Sequence, residues 1–164
     1  MIEDPITLGY SGWGKGSIRE RDWAFLKRTI LNYEVKSMCE IGIGLSTLLM
    51  QQLIPKYVGY DTWSSHIEWM KKRVMPRVEL RLWDGVIPFI PEDFYDIGFV
   101  DGPQGAKNRF PSFQSIVGFC KLLAMHDTGY IWNDQWRFKL DPEEKYKCLM
   151  HGGGLAIWGM KEYI

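Results

Sequence analysis

Five short apolar runs between residues 35 and 134 each stop at or beside an acidic residue, and stretches with helical spacing separate them. Strands alternating in this way with helices are joined by right-handed crossovers, which lay the strands side by side in a mainly parallel sheet covered on both faces. The expected fold class is α/β, a doubly wound sheet. The periodicity predicts strands over Val35–Ile41, Tyr57–Tyr60, Val78–Leu82, Asp96–Val100 and Tyr130–Trp132, with a closing strand over Leu155–Trp158. Helices are expected from Ser17 with a Ser17/Glu20 capping box, over Ser46–Leu53, from a Ser65/Glu68 capping box through Arg73, over Ser112–Met125, and from Asp141 to Met150.

One domain is expected over residues 1–164, because no internal repeat or linker divides the chain. A chain of this length buries roughly 70% of its unfolded surface, so it needs neither disulfides nor a metal to hold a core. Cys39, Cys120 and Cys148 lie far apart on apolar stretches and read as buried thiols of a reducing, cytoplasmic compartment. No apolar run reaches the roughly 18 residues that span a bilayer, and the first five residues lack the pattern of a signal peptide. Twenty basic and twenty acidic side chains give a formal net charge of zero, so no long-range field draws the chain to nucleic acid.

In a doubly wound sheet, ligands bind beyond the carboxyl ends of the strands. Here those ends carry Glu40-Ile41-Gly42-Ile43-Gly44, Asp61, Asp84, Asp101 and Asn133-Asp134. Gly42 and Gly44 permit a sharp turn and a close approach to a ligand. The dinucleotide fingerprint requires a third small residue at 47, where Thr47 stands, and Glu40 replaces an apolar residue before the turn. Both departures count against a nicotinamide cofactor. A carboxylate at the end of a central strand is costly to desolvate without a donor or a cation, which a ligand ammonium would supply.

The segment Glu40–Gly44, with Asp61 one crossover later, resembles the first two motifs of the class I S-adenosylmethionine-dependent methyltransferases. The resemblance implies a Rossmann-like methyltransferase sheet with a shortened C-terminal end, of six strands or with a very short last pair. It implies that Gly42 and Gly44 pack against the methionine and ribose part of the cofactor, with Glu40 near its amino group. Asp61 would take the two ribose hydroxyls, Thr62 or Trp63 would cover the adenine, and Asp84 would receive the adenine amino group.

For the acceptor, the turn Asp101-Gly102-Pro103-Gln104-Gly105 lacks the second proline and the aromatic of the family's enzymes that methylate nucleobases or glutamine, which counts against base methylation; the expectation is O-methylation of a small hydroxylated molecule or sugar. With Arg109 and Ser115-Ile116, this turn is similar to a stretch of the plant glucuronoxylan O-methyltransferases, which implies a polyhydroxyl acceptor held by Arg109. A second resemblance, to the metal-dependent catechol-type O-methyltransferases, implies that Asp101, Asn133 and Asp134 hold a magnesium ion. Asp101 and Asp134 are expected on the acceptor side, as the base where no metal is bound, with Arg109 and Arg137 positioning the acceptor. The glycine-rich residues 1–16 form either a lid, with Tyr10 and Trp13 shaping the acceptor pocket, or an unstructured leader. His66, His126 and His151 stand singly and read as structural or surface groups. Two other readings remain open: a nucleotide-dependent oxidoreductase of the NAD type, and a non-catalytic binding module of the same fold.

Overall fold

A computed structural model describes residues 4–12, 18–85, 90–102, 106–128, 145–152 and 154–164. Seven strands form one sheet in the order β3-β2-β1-β4-β5-β7-β6. Strands β1 (Ser37–Ile41), β2 (Lys56–Asp61), β3 (Val78–Leu82), β4 (Tyr95–Val100) and β5 (Cys120–His126) pair in parallel. Strands β6 (Tyr146–Gly152) and β7 (Leu155–Met160) close the sheet antiparallel. The doubly wound, mainly parallel sheet is as expected, and among the described residues it carries seven strands, with a last pair of seven and six residues, where the sequence reading expected six strands or a very short last pair.

Helices α1 (Glu20–Asn32), α2 (Leu45–Met50) and α3 (Ser64–Lys71) precede β1, β2 and β3, and α4 (Ala106–Ile116) precedes β5. Period-2 alternation in the strands sorts the core into two layers. Met38, Ile97, Phe99, Leu122 and Ala124 pack with Trp23, Leu26 and Ile30 of α1 and Leu45 and Leu49 of α2. On the other face Cys39, Ile41, Val100, Leu123 and Met125 pack with Phe113 and Ile116 of α4. Chain order reverses between β1 and β4, whose carboxyl ends carry Gly42 and Asp101, and this places the ligand crevice of the fold at those two residues.

The largest departure from the sequence reading lies after α4. The helix expected over Ser112–Met125 ends at Ile116, and Gly118 at φ +88° starts the turn into β5. Residues 120–126 are buried on both faces of the sheet, so they show no alternation, and their apolar spacing imitates a helix stripe. The fifth strand is therefore Cys120–His126 and not Tyr130–Trp132, which lies outside the described residues. The helix expected up to Met150 is β6 from Tyr146 onward, an edge strand with a bulge between Cys148 and Met150. Cys148 is exposed on that edge, contrary to expectation, while Cys39 and Cys120 are buried.

Two helix starts also differ. Helix α1 begins at Glu20 after Arg19, with no side-chain cap, and Ser17 lies outside the described residues. Helix α3 begins at Ser64 without a Ser65/Glu68 box, and Asp61 Oδ1 accepts from the Trp63 N–H just before it, at 3.0 Å. No helix of the described residues is long and apolar enough to cross a membrane.

Candidate cofactor and acceptor site

Contact between backbones assembles the centre of the site. Gly42 has φ +89°, and its N–H donates to the Tyr60 carbonyl at 2.8 Å. The N–H groups of Asp101 and Gly102 both donate to the Ile41 carbonyl at 2.9 Å. This brings the ends of β1, β2 and β4 so close that a Cβ on Gly42 would lie 2.3 Å from the Gly102 nitrogen, and one on Gly102 would lie 2.6 Å from the Gly42 Cα. Two glycines on separate strands are thus mutually required, a pairing that neither local motif announces. Gly44 is different, with extended backbone and, among the described residues, only the Tyr10 hydroxyl within 4 Å of a built Cβ, at 3.7 Å. The described residues leave open space above the turn.

Glu40 lies under this turn with no exposed surface. Its Oε1 accepts from Ser46 Oγ at 2.6 Å, and its Oε2 accepts from Thr47 Oγ1 at 2.5 Å and Tyr57 Oη at 2.7 Å. The sequence reading looked to a ligand ammonium to offset its burial, and three protein hydroxyls already do so. Thr47 Oγ1 also accepts from the Gly44 N–H at 2.8 Å, which ties the glycine turn to Glu40. The residue that breaks the dinucleotide fingerprint therefore has a task of its own.

Burial raises the Glu40 carboxyl to about 7, the three hydroxyls partly offset that rise, and the Asp101 charge adds to it. A carboxyl with a raised folded value contributes stability that is complete below its unfolded value near 4.5 and is lost as pH climbs through about 7. We expect Glu40→Gln to remove this slope, so that the stability difference between variant and parent moves in favour of the variant by roughly 3 kcal/mol from pH 4 to pH 8. Denaturant unfolding at both pH values measures it, and an unchanged difference would contradict it.

The ends of β2 and β3 form one flank. Asp61 Oδ2 lies 3.1 Å from His66 Nδ1, so His66 supports Asp61 from the first turn of α3. The Trp83 N–H donates to the Asp61 carbonyl at 2.8 Å, and Thr62 lies 3.7 Å from a Cβ built on Gly85. Thr62, Trp63 and Asp84 are thereby gathered around one strand end, Trp63 58% exposed and Asp84 exposed. Of the expected lid residues, Tyr10 packs edge-on against Trp69 of α3 beside Gly44, on the cofactor flank and not the acceptor flank, and Trp13 lies outside the described residues.

The ends of β4 and β5 form the other flank, and here the correction to β5 replaces the expected partners. Strand β5 ends at His126, so His126 and Asp127 are the described residues beside Asp101, and Asn133, Asp134 and Arg137 lie outside the described residues. His126 Nδ1 is 2.9 Å from Asp101 Oδ1 and 3.6 Å from Asp127 Oδ1. Asp127 holds φ +58°, a conformation that costs a non-glycine residue free energy, and its carboxylate pairs with Arg109 of α4. Arg109 Nη1 also lies 3.7 Å from Asp101. The sequence reading overlooked His126 because it placed the residue at a helix end, and Arg109, which it gave to the acceptor, is paired here with Asp127.

Asp101, His126 and Asp127 could bring three ligand atoms within 4.8 Å of one another. As arranged, Asp127 is paired with Arg109 and His126 with Asp101. Burial opposes the charged imidazole, but the bonds to Asp101 and Asp22 and the charges of Asp101 and Asp127 together raise His126 to about 10.

No protein-family model matches the sequence, and no curated protein matches it. Solved structures do match. A candidate O-methyltransferase from Klebsiella pneumoniae superposes with TM-score 0.69 at 15% identity, over 96% of this chain and 86% of that one. A candidate caffeoyl-CoA O-methyltransferase from Staphylococcus aureus gives TM-score 0.68 at 18% identity, over 87% of this chain and 84% of that one. The N-methyltransferase NodS from Bradyrhizobium japonicum in complex with S-adenosyl-L-homocysteine gives 0.61 at 14% identity, over 87% and 86%. The chain has the fold of the class I S-adenosylmethionine-dependent methyltransferases.

Proposed function

We propose that the chain transfers a methyl group from S-adenosylmethionine to the oxygen of a small hydroxylated molecule or sugar. The observation that carries this reading is the crevice at the β1/β4 reversal, where the Gly42 turn lies between the Asp61 flank and the Asp101 flank. The residues present fit an S-adenosyl group: open space over Gly44, a carboxylate at the end of β2, and an exposed aromatic ring with a second acid beside it. When bound, that group supplies an electrophilic methyl on a sulfonium.

In this reading Gly42 and Gly44 admit the methionine and ribose part, and Glu40 acts beneath them by fixing the turn through Thr47. Asp61 accepts from the ribose hydroxyls, since a carboxylate has lone pairs enough for these beside Trp63 and His66. Thr62, Trp63 and Asp84 border the adenine. Asp101, at the end of β4 beside the Gly42 turn, is the member of the opposite cluster assigned to the acceptor: 18% of its side chain is exposed against 5% for His126, and the more exposed Asp127 is paired with Arg109. It accepts a hydrogen bond from the acceptor hydroxyl and aligns the oxygen with the methyl group. With the methyl donor bound, its sulfur would keep the electron pair of the C–S bond as the acceptor oxygen takes the methyl, and the hydroxyl proton would pass to the Asp101 carboxylate and on to water.

Titration calorimetry with S-adenosylhomocysteine and, separately, with NAD tests the reading. The first should bind at micromolar Kd and the second not at all. Binding of NAD alone would favour the oxidoreductase, and binding of neither would favour a non-catalytic module.

A further inference from the structure

Residues 4–10 close on themselves, the N–H groups of Leu8, Gly9 and Tyr10 donating to the carbonyls of Asp4, Ile6 and Pro5 at 3.2, 3.0 and 2.8 Å. This turn sits on α3, where Leu8 and Tyr10 pack against Ile43, Ile67 and Met70. Gly9 has φ +87°, and a Cβ built on it would meet Arg73 Nε at 3.7 Å and the Trp69 ring at 4.0 Å. Tyr10 therefore stands edge-on to Trp69, with 5.8 Å between ring centres, and the Arg73 guanidinium lies 3.7 Å over the Trp69 ring. The packing carries the Tyr10 hydroxyl to the glycine turn, 3.7 Å from the place of a Cβ on Gly44.

At the turn this hydroxyl bonds Met70 Sδ at 3.8 Å, and a thioether is a weak acceptor. A hydroxyl proton rotates to suit its partner, so a stronger acceptor entering the space over Gly44 would take it. Burial first, then the Glu40 charge, push the Tyr10 hydroxyl well above its ordinary value while Arg73 opposes them, so it stays protonated and able to donate. Charge around the turn is also polarised. Glu40 lies beneath it, fully buried, and Arg73 stands on the Tyr10 side, its Nη1 donating to the Trp69 carbonyl at 2.8 Å. A zwitterion over Gly44 is thus favoured with its cationic end toward Glu40 and its anionic end toward Tyr10.

We infer that Tyr10 is a specificity-determining residue of the cofactor site, whose hydroxyl donates to the carboxylate on the methionine part of the cofactor. The inference rests on the methyl-transfer reading and names the side chain that reads the amino-acid end, where Gly42 and Gly44 supply space alone. It also sets what the site rejects: a nucleoside thioether without that carboxylate leaves Tyr10 with only the thioether of Met70. Tyr10 comes from a segment that precedes the whole sheet, outside the strand ends at which the other cofactor residues stand.

Titration calorimetry with S-adenosylhomocysteine and with its decarboxylated analogue, in which an aminopropyl chain replaces the amino acid, tests the inference. The parent should bind the analogue at least about tenfold more weakly, the effect of losing one hydrogen bond to a charged group. Tyr10→Phe keeps the ring against Trp69 and should melt within a few degrees of the parent. Its affinity for S-adenosylhomocysteine should fall by about tenfold while its affinity for the analogue stays within about threefold, so that the preference for the carboxylate shrinks. Equal binding of the two ligands by the parent would overturn the inference, and that measurement needs no variant. Equal loss of both affinities in Tyr10→Phe would mean that the ring only packs, and retention of both would mean that the hydroxyl meets neither ligand; each overturns the inference and leaves the methyl-transfer reading standing. A parent that binds neither ligand would remove that reading and the inference together.

Discussion

Gly42→Ala is expected to lower the unfolding free energy by about 3–5 kcal/mol, the range reached when a backbone position with no room for a side chain is filled. The added Cβ would stand 2.3 Å from the nitrogen and 2.5 Å from the Cα of Gly102, and neither is the far end of a side chain that could swing away. The positive φ of Gly42 adds strain of its own. Relief would require β1 and β4 to separate where the Ile41 carbonyl accepts from both Asp101 and Gly102. For a domain of this size such a loss lowers Tm by roughly 10 °C or more. Gly44→Ala is the control. Its backbone is extended and, among the described residues, its built Cβ meets only the Tyr10 hydroxyl at 3.7 Å, so its Tm should stay within a few degrees of the parent. Equal melting of Gly42→Ala and the parent by calorimetry would mean that the two strand ends are not in contact.

The contrast between these glycines bears on what a sequence can disclose. Both belong to one G-x-G turn, and the local pattern recommends them equally. Only the pairing of β1 with β4, across nearly sixty residues, separates a glycine demanded by another backbone from one that leaves space for a ligand. The strands β1 to β4 were legible because each is a short apolar run bounded by a turn or a proline, and with them Gly42, Asp61 and Asp101 came at the right strand ends. Strand β5 was not, because a strand buried on both faces keeps no period of two, and the apolar face of α4 ran into it without a polar break. Gly118, in the left-handed conformation just after Val117, was the available signal of the helix end. Missing it moved the expected fifth strand on to Tyr130–Trp132 and left His126 on the wrong kind of element. Asp22 was invisible for another reason: an acid in a helix's first turn is so common that nothing in the sequence marks this one as buried.

Asp61→Ala should weaken S-adenosylhomocysteine binding by about 100-fold, the effect of losing two hydrogen bonds to a charged acceptor when each contributes roughly 1.5–3 kcal/mol and the pair is not additive. The substitution also removes the acceptor for the Trp63 N–H and the partner of His66, so part of the loss would come from a loosened start of α3. A comparable hydrogen bond at a helix start is worth about 1 kcal/mol, which sets the fall in stability to expect from this second effect. Asp61→Asn separates the two, since its amide oxygen keeps one acceptor for Trp63 while the charge that favours the ribose hydroxyls is gone. It should melt near the parent yet bind roughly tenfold more weakly. If both variants bind as the parent does, the end of β2 does not meet the cofactor. If Asp61→Ala binds weakly only in proportion to its lost stability, and Asp61→Asn binds normally, then Asp61 belongs to the support of α3, and Trp63 and Asp84 would have to hold the nucleoside without it.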